Sequence, residues 1–202
     1  MKRTLRIPLL LTFACVMLAA CSSFAYAQKV DLAFGVNTTT APAAISSDGQ
    51  EIIPSLTGGA YPGFSFDALV FHNMGVGFEF FWKASQGNYA NQGFGYRPLM
   101  WNINGVYSPK LASHVYLELD GGIGALSTRY YTGTVCGIYT CSNYVSSNHF
   151  DGDFGGGIKL YPRGGFFVRP EARVYVINND TDFNTNHFAR YGVSIGYTFG
   201  RH

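Results

Sequence analysis

Apolar and non-apolar residues alternate along eight separate stretches of the chain, with the period of two that indicates β-strands. The first stretch sets Val30, Leu32, Phe34 and Val36 against Asp31, Ala33, Gly35 and Asn37. The other seven cover about 59–67, 74–83, 97–107, 114–127, 150–160, 166–177 and 189–199. Phe81 interrupts the alternation of the third stretch. We therefore predict an all-β fold with eight strands.

The charged residues show which face of these strands meets lipid. A soluble sandwich also alternates, but here the non-apolar face carries the charges and glycines, while the opposite face is aromatic and β-branched. The charged set is Glu79, Lys83, Glu118, Asp120, Asp151, Asp153, Lys159, Arg169, Glu171 and Arg173. An apolar outside and a polar inside are typical of a transmembrane β-barrel, and glycine on the inner wall leaves room for long side chains.

The connections between the stretches alternate strictly between long and short. The short ones span 68–73, 108–113 and 162–165, and the long ones span 38–58, 84–96, 128–149 and 178–188. This predicts an eight-stranded antiparallel up-and-down transmembrane β-barrel, with four long outer loops on one side. Three short periplasmic turns and both termini lie on the other side.

The composition supports this prediction and excludes other classes. Aromatic residues make up 16% of the chain and charged residues only 13%, which is the opposite of a disordered protein. No 18-residue apolar run follows the first 20 residues, so a polytopic helical membrane protein is excluded. Without the basic residues of the leader, 11 basic residues face 12 acidic ones, and we expect no nucleic-acid partner.

The N-terminus resembles a secretory signal peptide. Lys2, Arg3 and Arg6 accompany the apolar stretch 7–20, and Ala25-Tyr26-Ala27 forms an A-x-A cleavage site before Gln28. We predict a signal peptide at 1–27 and a barrel domain at 28–202. The sequence Leu18-Ala19-Ala20-Cys21 resembles a lipobox, which leaves cleavage before a lipidated Cys21 as the alternative.

Two cysteines remain after this leader, in Cys136-Gly137-Ile138-Tyr139-Thr140-Cys141. A close pair in an oxidising compartment predicts a disulfide within a loop, with two free thiols as the alternative. No second cysteine pair or histidine cluster completes a tetrahedral metal site, so we expect no metal.

Two strand sequences carry a resemblance to a known family. Residues Phe167-Val168-Arg169-Pro170-Glu171-Ala172-Arg173-Val174-Tyr175, and the final Tyr191, Tyr197 and Phe199, are similar to strands of eight-stranded bacterial outer-membrane barrels of the OmpA transmembrane-domain and opacity-protein type. This resemblance spans about Val30 to Phe199 and implies location in the bacterial outer membrane, with contact to its lipid. It also implies recognition of the last strand by the insertion machinery through a terminal aromatic residue, although here Gly200-Arg201-His202 follow Phe199.

No catalytic motif appears in the sequence, and we expect neither an enzyme nor a cofactor. Gly155-Gly156-Gly157 lies inside a predicted strand, and the five histidines are scattered, as expected for solvated loop residues. The alternative is a small outer-membrane enzyme acting on lipid A. It would use a serine of Ser146-Ser147-Asn148-His149 with His149 as base and Asp151 as the orienting carboxylate.

The charges of the inner wall predict a filled lumen. Eight strands leave space only for side chains, so arginines should pair with carboxylates there in a connected network. The predicted members are Glu79, Glu118, Asp120, Arg169, Glu171 and Arg173. The alternative is a narrow pore of low conductance.

The polar outer loops suggest a surface role. Loops rich in Ser, Thr, Asn, Gly and Tyr suit contact with a host, a phage or another surface ligand, since these residues give adaptable contacts. A purely structural envelope barrel without a specific partner is the other interpretation that the sequence leaves open.

Overall fold

The computed structural model describes residues 29–42, 44–45, 49, 51–53, 56–89, 94–133, 135–136, 141–178, 182–183 and 185–200. The predicted signal peptide at 1–27 and the alternative cleavage before Cys21 lie outside these residues, so both stay predictions. In the described part of the chain, no helix is long and apolar enough to cross a membrane.

Eight long strands cover the eight alternating stretches, which confirms the predicted all-β fold. They are β1 (Lys29–Thr40), β2 (Tyr61–Phe71), β3 (Met74–Trp82), β4 (Phe94–Tyr107), β5 (Val115–Tyr131), β6 (Val145–Arg163), β7 (Phe166–Ile177) and β8 (His187–Gly200). Shorter strands lie in the connections, at Ala44–Ile45, Glu51–Ile53, Gly87–Tyr89, Lys110–Ala112, Val135–Cys136 and Cys141–Ser142.

Each long strand pairs antiparallel with its neighbours in sequence. The first strand also pairs with the last, with Lys29 opposite Gly200 and Thr40 opposite Ala189. Because this pairing closes the sheet on itself, the eight strands form an up-and-down barrel whose backbone groups are satisfied between strands. A lipid environment requires such closure.

The connections alternate in length as predicted, with short links at 72–73, 108–114 and 164–165 on one side. The long links at 41–60, 83–93, 132–144 and 178–186 lie on the other side. The predicted loop 128–149 was too long, because β5 and β6 continue to pair until Tyr130 meets Val145. Polar residues at these strand ends still make backbone hydrogen bonds, although the apolar alternation has already ended.

The turn between β2 and β3 needs only two residues. His72 has φ of 44° and Asn73 has φ of 64°, while Phe71 pairs with Met74 on either side of them. Positive φ at both central residues is the requirement of the type I′ hairpin, whose twist matches that of the strands it joins.

The outer wall of the barrel is apolar. Its exposed side chains include Phe34, Val76, Trp101, Ile103, Ile123, Phe154, Val174 and Ile195, and Phe154 is 69% exposed. A soluble monomer rarely exposes an apolar surface that continues around the whole molecule. The wall therefore has the polarity that a bilayer requires.

The interior holds aromatic clusters at both ends of the barrel. The outer-end cluster consists of Leu56, Tyr61, Phe81, Tyr96, Met100, Leu126, Tyr175, Ile177, Phe183 and Phe188, and the periplasmic-end cluster of Ala33, Tyr116, Tyr161 and Phe167. Phe81, which interrupts the alternation of its strand, is buried in the outer-end cluster. The apolar character of the two ends of the lumen was not predicted.

Candidate functional site

Between the two aromatic clusters, the barrel interior contains buried charged side chains. The described cations of this region are Lys159, Arg169, Arg173 and Arg190, and the carboxylates are Asp31, Asp67, Glu79, Glu118, Asp120, Asp151, Asp153 and Glu171. Alternation along each strand brings these residues to the inner wall. We call this set the lumen network.

Arg169 on β7 is the centre of its periplasmic half. Its guanidinium pairs with Glu118 of β5 and, at 2.9 Å from Nε to Oε2, with Glu171 of its own strand. It also donates to the hydroxyls of Ser65 and Ser194 at 2.8 and 3.0 Å. One side chain thus joins β2, β5, β7 and β8 across the lumen.

Arg173, four residues further along β7 toward the outer end, makes a second centre. Its Nη2 atom pairs with Glu79 of β3 and lies 2.6 Å from Oδ2 of Asp120 on β5. Its Nη1 atom donates to Asp153 of β6 at 3.0 Å. All six residues that the sequence predicted for the lumen therefore form ion pairs inside the barrel.

Arg190 of β8 links the two centres and was missed from the sequence. Its Nη2 atom lies 2.9 Å from Glu79 and 3.8 Å from Glu171. The alternation of β8 indicates that Arg190 faces inward, because it has the same phase as Gly192 and Ser194. Arg190 lies, however, at the edge of its apolar stretch. The predicted stretch 189–199 contains Arg190, but the alternation identified there begins at Tyr191.

Lys159 of β6 fills an acidic pocket that was also missed. Asp31, Asp67 and Glu118 offer oxygens that lie within 4.8 Å of one another. The ammonium group of Lys159 pairs with all three, at 3.7 Å from Asp67. The lysine is therefore the counter-ion of these three carboxylates.

The ends of the lumen network lie against aromatic rings. The guanidinium of Arg190 lies 3.9 Å from the ring centre of Phe81 and 5.3 Å from that of Tyr175. At the periplasmic end, the ammonium of Lys159 lies 5.4 Å from the ring centre of Phe167. Cation–π attraction is stronger where water is excluded, so these rings hold the outermost cations in place.

A second polar cluster lies at the outer mouth. The Nε2 atom of His149 is 2.8 Å from Oγ of Ser147 and 2.7 Å from Oδ2 of Asp182. The hydroxyl of Tyr89 donates to the backbone carbonyl of Asp182 at 2.7 Å. These contacts, which we call the mouth knot, tie the 178–186 connection to β6 and to the 83–93 connection.

The charge of Asp182 is stabilised by this knot. Burial alone would raise the pKa of its carboxyl group. Hydrogen bonds from Ser147, His149 and Tyr130 outweigh that effect and hold the pKa below its ordinary value of 3.8. At neutral pH Asp182 is therefore an anion that accepts from several loop and strand residues at once.

The catalytic alternative needs a correction. Asp151 does not orient His149, because its Oδ1 atom accepts from Asn102 at 2.5 Å inside the barrel. Nor is His149 a solvated loop residue, since it lies in β6 and its side chain is only 15% exposed. Asp182 is the carboxylate beside it, and no motif marked this residue in the sequence.

Cys136 and Cys141 are opposite each other in the small hairpin at the tip of the 132–144 connection. Opposed positions of this kind bring two Cα atoms into the range that a disulfide spans. The predicted cross-link stays a prediction. Gly155, Gly156 and Gly157 lie within β6 and pair with both β5 and β7, so their backbone groups serve the sheet.

The comparisons with known proteins identify the fold. No known protein family and no curated protein matches the sequence. Among solved structures, Neisserial surface protein A is similar with a TM-score of 0.58 at 12% identity, over 85% of this chain and 96% of that chain. The attachment invasion locus protein Ail of Yersinia pestis, in complex with the heparin analogue sucrose octasulfate, gives 0.55 at 11% identity, over 85% and 98%.

The N-terminal β-barrel domain of OprF from Pseudomonas aeruginosa gives a TM-score of 0.54 at 9% identity, again over 85% of this chain and 98% of that chain. At such low identity these similarities concern the fold. Together with the closed ring of eight strands and the apolar outer wall, they confirm the resemblance drawn from the sequence. The chain is an integral membrane protein with the eight-stranded outer-membrane β-barrel fold of the OmpA and opacity type.

Proposed function

We propose that this outer-membrane barrel does not conduct and presents its outer loops as a rigid surface for recognition of a host, phage or other cell-surface ligand. The observation that carries the proposal is the position of the lumen network. The lumen network lies between an aromatic cluster at each end, so the side chains fill the space that a solute would need. A barrel that does not conduct acts through its outer surface.

The mouth knot supports the recognition role. It holds parts of two outer connections in one arrangement, and Phe183 and Leu56 from two connections are buried in the outer-end cluster. Binding to loops that are already ordered loses less conformational entropy than binding to free loops. A protein of the same fold, Ail, has been crystallised with a sulfated heparin analogue, so this fold can present such a site.

A loop replacement tests the recognition role. Residues 132–143 are replaced by a two-residue Asn-Gly turn, and the control carries the same twelve residues in scrambled order. Cells producing each protein are compared for attachment to host cells, phage sensitivity and serum survival. Loss in both variants with intact barrels supports recognition by this loop. If neither variant changes any of the three properties, the structural-barrel interpretation replaces the proposal for this loop.

Conductance in planar bilayers tests the filled lumen. We expect no stable large conductance from the wild-type protein, and an increase when Phe81 and Tyr175 of the outer-end cluster are both replaced by Ala. A steady large conductance of the wild type would overturn the closed lumen and favour the pore.

The enzyme is the less favoured candidate. Ser147, His149 and Asp182 lie within hydrogen-bond distance, but both the hydroxyl and the carboxylate contact the same Nε2 atom. A catalytic triad places them on opposite ring nitrogens, so that one orients the ring while the other reacts. We propose that these residues tie the loops together. Mass spectra of lipid A from producing cells that change with the wild type, but not with Ser147→Ala, would contradict this.

A further inference from the structure

The outer wall carries two charged side chains at its outer edge. Arg97 of β4 and Arg129 of β5 are direct partners in the strand register. Both point outward, Arg97 between buried Tyr96 and Pro98, and Arg129 between buried Thr128 and half-buried Tyr130. The other charged side chains of the described outer wall lie at the periplasmic ends of the strands. Like charges directly opposite each other on a sheet repel, so their pairing requires an explanation.

Neither arginine has an acidic partner among the described residues, where no carboxylate lies within 4.0 Å of either guanidinium. Arg97 donates from Nε to the carbonyl of Lys83 at 2.7 Å and from Nη2 to that of Ala84 at 3.3 Å. Arg129 lies 5.2 Å from the ring centre of Tyr144. These contacts hold both side chains but neutralise neither charge, and they leave N–H groups of each fork available.

The two arginines border an outer pocket of about 300 Å³. Its other lining residues are Phe80, Trp82, Pro98 and Leu99. The site therefore combines an apolar surface on the lipid-facing wall with two cations at its edge. A ligand with a hydrocarbon chain beside an anionic group matches both parts.

We propose that Arg97 and Arg129 bind a phosphate group of a phosphorylated lipid in the outer leaflet, with its acyl chain packed against Phe80, Trp82 and Leu99. Two guanidinium forks offer the paired N–H donors that phosphate oxygens accept. The anion removes the repulsion between the arginines. We assign the phosphate to a lipid and not to a soluble anion because the pocket opens to the side of the barrel, at the edge of the apolar wall.

Native mass spectrometry of the full folded barrel in a neutral detergent tests the proposal. The probes are lipid A with two phosphate groups, the same lipid after removal of both phosphates, and inorganic phosphate alone. The test variant is Arg97→Gln with Arg129→Gln. The matched control is Lys110→Gln with Arg163→Gln, which removes two exposed charges at the periplasmic end.

We expect the wild type and the control to bind the phosphorylated lipid at least tenfold more tightly than the dephosphorylated one. The Gln variant should lose this preference, and Arg97→Lys with Arg129→Lys should restore part of it. Equal retention of the phosphorylated lipid by the Gln variant would overturn the proposal, as would equal binding of both lipids by the wild type. Inorganic phosphate that displaces the lipid would indicate a site for soluble anions and overturn the lipid assignment.

Each variant is first tested for folding by its heat-dependent mobility on gels. If the double Gln variant does not fold, the single change Arg129→Gln at the exposed rim replaces it, with Arg163→Gln as its control. A folded Arg129→Gln variant that keeps the full preference for the phosphorylated lipid would exclude a contribution of this arginine and contradict the paired site.

Discussion

Gly155 and Arg173 are direct partners across β6 and β7, and a Cβ atom added to Gly155 would overlap Cγ of Arg173. The next glycine on this wall has the same relation to the network, because a Cβ at Gly157 would lie 2.9 Å from Cγ of Arg169. The side chains of both arginines extend over positions of β6 that have no side chain. The glycines of β6 are thus part of the lumen network.

Gly155→Ala should therefore destabilise the barrel, since Arg173 has to move from its three carboxylate partners. Overpacking of this kind costs about 1–3 kcal/mol. Gly105→Ala is the control, because a Cβ there meets only the backbone oxygen of Gly121 at 3.8 Å. Urea unfolding in lipid vesicles, followed by the fluorescence of Trp82 and Trp101, measures both. Equal stabilities of the two variants would show that the close approach is not important.

Arg173→Ala should be more severe, because it leaves Glu79, Asp120 and Asp153 without their shared cation. Removing one partner of a buried ion pair costs about 3–5 kcal/mol. Arg163→Ala, at the exposed end of β6, should stay within about 0.5 kcal/mol of the wild type. The same urea titration measures the difference.

Additional substitutions distinguish the cost of uncompensated buried charge from the cost of lost packing. Adding Asp120→Asn and Asp153→Asn to Arg173→Ala should recover part of the stability, because Arg173 is the cation that pairs with these two carboxylates and fewer anions then remain uncompensated. An Arg173→Ala variant as stable as its parent would contradict the role of the lumen network.

Alternation, together with the charges on one face and the alternating loop lengths, predicted the barrel, because a residue on a lipid-spanning strand has only two directions to point. It placed Glu79, Arg169 and Arg173 inside without any knowledge of their partners. It could not predict that Phe81 and Tyr175 stack on Arg190, since the positions of side chains along the barrel axis depend on strand register and tilt. The role of Asp182 depends on a loop fold, for which no period exists.

The hairpin at Cys136 and Cys141 permits a direct test of the predicted disulfide. Iodoacetamide should add no mass to these cysteines in the native protein, and two adducts should appear after reduction. A closed loop of this length contributes about 2 kcal/mol in the chain-entropy model, but only to the local order of the hairpin. Cys136→Ser with Cys141→Ser should therefore leave urea unfolding of the barrel unchanged while proteases cleave this loop faster. Two adducts without reduction would show free thiols.

Asp182 should make the order of the outer loops depend on pH. Its folded-state pKa lies below the ordinary 3.8, so its contribution is fully present above that pH. The contribution is lost as the pH falls through the lowered pKa, when the protonated carboxyl accepts hydrogen bonds less well. The amide signal of Phe183 in micelles, followed by NMR from neutral pH downward, should show the buried environment until the pH falls below 3.8.

Substitutions in the mouth knot give the same test at constant pH. Ser147→Ala and Asp182→Asn should both increase cleavage of the 178–186 connection by proteinase K at neutral pH. Asp182→Asn should do so more strongly, because it removes the negative charge and one of the two acceptor oxygens of this side chain. Ser146→Ala, at the exposed neighbouring position, is the matched control and should leave the cleavage rate unchanged. If Asp182→Asn is cleaved no faster than this control, the loops are held by the apolar contacts of Phe183 and Leu56 alone, and the predicted pH dependence disappears with the role of the carboxylate.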